Sequence, residues 1–122
     1  MTSPFPLPPS YAASFERLAN TSLRLDWRKL AKKKPPMWPG SLYLYASSTA
    51  AEENERLTGY RDERHRGEHY FIGSNAAGIV FALDRKGRIV IFDEIESGDP
   101  DNGICIAPSF DALLASVEKE GS

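Results

Sequence analysis

Tyr11, Phe15 and Leu18 recur at i, i+4 and i+7, the spacing that gives a helix one apolar face. Pro8 and Pro9 suit the entrance of that helix, where a lacking N–H costs nothing, and Asn20 is its expected stop. Leu25 and Trp27 read as the start of a short strand. Arg28-Lys29-Leu30-Ala31-Lys32-Lys33-Lys34 is a basic run, and Pro35, Pro36, Pro39 and Gly40 break any regular element after it, so an exposed connection is expected. Ser41 to Tyr45 has strand character, with Leu42 and Leu44 on one side and Tyr43 and Tyr45 on the other. Ser47 and Ser48 are candidate caps for a helix from Thr49 to about Leu57, with Glu52 and Glu53 in its early turns and Gly59 ending it. Arg61 to Gly67 reads as a charged loop.

The second half is more strongly patterned. Tyr70-Phe71-Ile72 is a short apolar run stopped by Gly73, and Ser74, Asn75 and Gly78 are turn residues. Ile79–Leu83 and Ile89–Phe92 are apolar throughout, as expected of strands buried on both faces. Asp84-Arg85-Lys86-Gly87 between them predicts a hairpin, with Gly87 in the left-handed conformation. An acidic loop, Glu94 to Asn102, leads to the short strand Ile104-Cys105-Ile106. Pro108 and Ser109 open a last helix whose apolar face is Phe110, Leu113, Leu114 and Val117.

The predicted order is helix, strand, short helix, three strands in meander-like succession, helix. Strands joined by short turns imply a mostly antiparallel sheet packed against helices, the α+β class. The 122 residues suit a single domain able to bury a core without staples. Hydrophobic residues make up 41% and charged residues 26%, which agrees with a globular chain. The first ten residues lack the basic segment of a secretory signal, and no apolar run reaches membrane-spanning length, so the cytoplasm is the expected location. The net charge of −2 hides a polarity. Residues 1–50 carry seven basic and two acidic side chains, residues 51–88 seven of each, and residues 89–122 one basic and eight acidic. That split marks either an interaction surface or two ends that neutralise each other in the fold.

Few residues combine into recognisable chemistry. His65 and His69 are four apart, but Gly67 lies between them and Arg61, Arg64 and Arg66 would repel a cation, so a solvated loop is expected rather than a metal site. Cys105, flanked by Ile104 and Ile106, reads as a buried structural cysteine. Asp99-Pro100-Asp101-Asn102-Gly103 lacks the spacing of a calcium loop, and no phosphate-binding glycine motif is present. Nothing places Asp93, Glu94 or Glu96 in a pocket. Residues 28–34 with Trp27 and Trp38 could contact nucleic acid by phosphate pairing and stacking, yet the chain is slightly acidic, and an exposed basic loop is the expected reading. No cofactor, no metal and no catalytic set are predicted.

Three segments resemble the SUKH superfamily, which includes the fungal Smi/Knr cell-wall-synthesis regulators and bacterial immunity proteins. Leu7-Pro8 followed by Tyr11, Phe15 and Asn20 is similar to its Leu-Pro step before a helix. Phe71-Ile72-Gly73-Ser74-Asn75-Ala76-Ala77-Gly78 resembles its central strand and glycine turn. Ile106-Ala107-Pro108-Ser109-Phe110, followed by Leu113 and Leu114, resembles its final strand and helix. The resemblance implies one SUKH-like domain over residues 1–122, lacking the usual first helix. It also implies a non-enzymatic protein that neutralises a cognate toxin by binding it. A basic nuclease toxin would suit an acidic docking loop, so Asp93, Glu94, Glu96, Asp99 and Asp101 are the candidate contacts. Trp38 and Tyr60, together with Tyr43, Tyr45 and Tyr70, are the candidate aromatic anchors. The same features serve an interaction adaptor with no toxin; a small enzyme and a nucleic-acid binder are the remaining alternatives.

Overall fold

The computed structural model describes residues 7–19, 21–30, 32–33, 38–60, 69–75, 78–93 and 103–118. Its elements in chain order are α1 (Pro9–Leu18), β1 (Ser22–Leu25), a 3-10 turn (Trp27–Lys29), β2 (Ser41–Leu44), α2 (Ser47–Tyr60), β3 (His69–Ser74), β4 (Ile79–Asp84), β5 (Ile89–Asp93), β6 (Ile104–Ala107), α3 (Phe110–Ala115) and β7 (Val117–Glu118). The strands form one sheet in the order β6-β5-β4-β3-β2-β1-β7, and every pairing is antiparallel. The fold is mixed α+β, as expected. The meander has four strands, β3 to β6, rather than three, and β1 and β7 extend the sheet at its other side.

Alternation along β4 and β5 explains why both strands are apolar at every position. Ile79, Phe81, Leu83, Ile89 and Ile91 enter one core cluster. Val80, Ala82, Val90 and Phe92 join Phe71 in a second. Helices α1 and α3 serve the first core, where the Tyr11 ring meets Phe110 edge-on at 5.3 Å and Tyr70 at 6.5 Å. Burial of each large side chain there contributes about 1.5–3 kcal/mol. The β4–β5 turn is the predicted hairpin, with Gly87 at φ 79°.

Several local expectations are corrected. Gly73 does not stop β3. Phe71 pairs with Ala82 and Gly73 with Phe81, so Ile72 is an extra residue and the strand bulges through the glycine. A Cβ on Gly73 would lie 2.5 Å from both Leu42 Cδ1 and the Tyr43 carbonyl oxygen, so only glycine lets β2 come this close. Trp27 lies in the 3-10 turn and not in a strand; that turn is capped by Asp26, which accepts from the Arg28 N–H at 3.1 Å. Tyr45 is buried with the core and does not share an exposed face with Tyr43, because β2 ends at Leu44. Helix α2 opens earlier than expected, with Ala50 N–H donating to the Ala46 carbonyl at 2.8 Å. Ala46 therefore stands where Ser47 or Ser48 was expected to cap. The helix also runs past Gly59 to Tyr60.

Helix α3 stops before Val117. Ser109 caps its start, accepting from the Ala112 N–H at 3.0 Å. At its end the Ser116 hydroxyl donates to the Leu113 carbonyl at 2.6 Å, a local bond that competes with helix continuation. The chain then turns into β7, where Val117 faces Leu25 and Glu118 faces Arg24.

One buried polar residue joins α2 to the sheet. Beyond Ile72 the register of β2 with β3 ends, and the side chain of Asn54 takes over. Its Nδ2 donates to the carbonyls of Phe71 and Ala50 at 2.8 Å each, and its Oδ1 accepts the Phe71 N–H at 2.6 Å. The carboxamide thus serves both peptide groups of Phe71 as a neighbouring strand would.

Candidate interaction surfaces at the two ends of the sheet

The registers define two ends. Asp93 pairs with Ile79 at one end of the β4–β5 hairpin. At the other, His69 pairs with Asp84 and the Asp84 N–H donates to the Arg88 carbonyl.

At the first end β5 finishes at Asp93, which is half-buried. The chain is described again at Gly103, whose absent side chain leaves room for the second core: a Cβ would stand 2.5 Å from Val90 Cγ1 and 2.7 Å from Phe92. The acidic segment therefore leaves from the end of β5 and returns at a residue packed against the β5 side chains Val90 and Phe92. Glu94, Glu96, Asp99 and Asp101 lie outside the described residues, as does the Tyr60 side chain. Trp38 is partly buried and packs against the first core. Among the tyrosines, Tyr45 and Tyr70 are core residues, while Tyr43 is 41% exposed and is the one exposed large hydrophobic side chain among the described residues. It stands in a cleft of about 330 Å³ with Ser22, Ser41, Ser74 and Asn75. Asn75 holds that corner together, donating to the Pro39 and Ser41 carbonyls and accepting the Ile79 N–H at 3.1 Å.

Among the described residues the second end is basic, which segment-wise charge counting hides because residues 51–88 balance overall. A cleft of about 400 Å³ is lined by His69, Asp84, Arg85, Lys86 and Arg88. Asp84 organises it. Its Oδ1 accepts the Lys86 and Arg88 N–H groups at 2.9 and 2.8 Å, and its Oδ2 accepts Arg88 Nε at 2.6 Å. Burial alone would raise the Asp84 carboxyl, but the Arg88 N–H, the Arg88 guanidinium and the Lys86 N–H outweigh it and hold the group below the usual aspartate value. The His69 ring stands edge-on to Phe92 at 5.1 Å.

The remaining candidates fall elsewhere. His69 is a strand residue, and His65 lies outside the described residues. Among the described residues no three His, Cys, Asp or Glu side chains gather as a metal site would require. Arg28, Lys29, Lys32 and Lys33 are exposed, and Arg28 Nε is paired with Asp26 at 2.9 Å. Cys105 is exposed rather than buried. Alternation points it away from Ile104 and Ile106 on β6, which ends the sheet, and it lies opposite Val90. Among the described residues no helix is long and apolar enough to cross a membrane.

The described residues define a mixed α+β fold with a basic cleft at one end of the β4–β5 hairpin. Comparison with models of protein families, with curated proteins and with solved structures finds no match.

Proposed function

We propose that this chain is a protein-binding module of the immunity type, non-catalytic, which neutralises a toxin by covering it with the acidic end of its sheet. The observation that supports this reading is the anchoring of the acidic segment. Asp93 and Gly103, on either side of residues 94–102, are both held against β5, an interior strand of a sheet with two cores. A segment with four carboxylates whose two flanks are held at β5 suits rapid, electrostatically steered association with a basic partner. Toxin neutralisation, and assignment to the SUKH superfamily, rest on the resemblance of residues 7–20, 71–78 and 106–114. Of the tyrosine anchor candidates among the described residues, Tyr43 is the exposed one, and a tyrosine that becomes desolvated at the centre of an interface is a common source of binding energy.

The test is coexpression with the product of the adjacent gene. The proposal expects that product to arrest growth alone, the chain to restore growth, and the Asp93→Asn, Glu94→Gln, Glu96→Gln, Asp99→Asn, Asp101→Asn variant to restore it poorly. A neighbouring product that binds without being toxic would replace immunity by the adaptor reading.

A further inference from the structure

We propose that the basic cleft at the opposite end of the sheet binds the phosphate group of a small phosphorylated molecule. Four features converge there. The cleft is about 400 Å³, within the size range of small-molecule sites. Among the described residues it brings three permanent cations, Arg85, Lys86 and Arg88, and the His69 imidazole around one carboxylate, that of Asp84. That carboxylate is committed to the turn through the Lys86 N–H, the Arg88 N–H and Arg88 Nε. It therefore fixes the backbone from which the cations project, which lowers the ordering cost of binding. Arg88 retains 49% side-chain exposure despite its ion pair, and a guanidinium offers five donors, of which Asp84 engages one. Phosphate is an anion that such a mixture of guanidinium and ammonium groups recognises well, the first as a fork and the second as a point charge. This inference is independent of the acidic end and of any partner bound there.

The experiment is amide NMR titration of the whole chain with inorganic phosphate, a sugar phosphate and a phosphoserine peptide, each to about 10 mM at constant ionic strength. The proposal expects saturable shifts confined to His69 and residues 84–88, tighter for the sugar phosphate than for inorganic phosphate. The pair Arg85→Ala, Lys86→Ala should weaken binding at least about tenfold, while the hairpin survives because the Lys86 N–H remains to bond Asp84. The control pair Lys32→Ala, Lys33→Ala removes the same charge from an exposed segment and should leave binding unchanged. Absence of saturation, equal weakening by the control pair, or preference for the phosphopeptide would each overturn the proposal.

Discussion

Asn54→Leu removes the polar contacts of one side chain while keeping its count of heavy atoms and its branch at Cγ. Three hydrogen bonds are lost, two with the peptide groups of Phe71 and one with the Ala50 carbonyl. Each such bond contributes about 1 kcal/mol net, and withdrawing a partner from a buried group costs about 1–3 kcal/mol. Asn54 is 2% exposed and Phe71 0%, so water does not replace what is removed. Allowing for the apolar gain of leucine, the expected loss is about 3 kcal/mol, or a fall in Tm of roughly 10–15 °C for a chain of this size. Urea unfolding followed by circular dichroism measures it, with an unchanged m-value as the sign that compactness is preserved. Asn54→Asp is the companion variant. Its carboxylate still accepts the Phe71 N–H but faces the Phe71 and Ala50 carbonyls without a proton to donate. Burial raises the pKa of such a group, so its stability should be best at low pH and fall as pH rises through the raised folded-state pKa. A loss below about 1 kcal/mol for Asn54→Leu would refute the strand-like role of the carboxamide.

Three further outcomes follow from the same geometry. Gly73→Ala should destabilise by about 1–3 kcal/mol, because its Cβ would meet the Tyr43 carbonyl oxygen as well as Leu42; unaltered urea stability would contradict the bulge. Asp84 is held below the usual aspartate value, so its contribution is complete above the unfolded-state pKa of about 3.9 and disappears as pH falls through the folded-state one. Asp84→Asn should therefore flatten the acid limb of the stability profile below about pH 4 and cost about 1–2 kcal/mol at neutrality. Cys105, exposed on the edge strand, should react with a disulfide reagent in the folded protein without denaturant, and protection until unfolding would restore the buried reading.

The elements legible in the sequence were those with strong local patterns. Continuous apolar runs flanking Asp84-Arg85-Lys86-Gly87 encode a hairpin whatever surrounds them, and Pro9, Tyr11 and Leu18 encode α1. The failures lie where tertiary contact decides. Val117 sits at a helical i+7 position, yet pairing with Leu25 and the Ser116 bond draw it into β7. Gly73 reads as a stop because local pattern cannot show that Leu42 fills its side-chain space. Cys105 was judged by its chain neighbours, although in a strand those neighbours point to the other face. Asn54 gave no signal beyond being a polar residue inside a helical stretch. The basic cleft has no local signature: Arg85 and Lys86 read as turn residues, Arg88 carries no reading of its own, and their meeting with His69 depends on the β3–β4 register. Of the candidate contacts, Asp93 is the last residue of β5, one past the predicted strand and not on the loop, and Trp38 packs on the core instead of standing free.

Association kinetics across a salt series address the docking surface itself. With the partner immobilised, the wild-type chain and the variant carrying amides at positions 93, 94, 96, 99 and 101 are compared from low to high ionic strength. The account predicts a markedly slower on-rate for the variant at low salt, converging with wild type as screening increases. Superimposable on-rates at every salt concentration would contradict it.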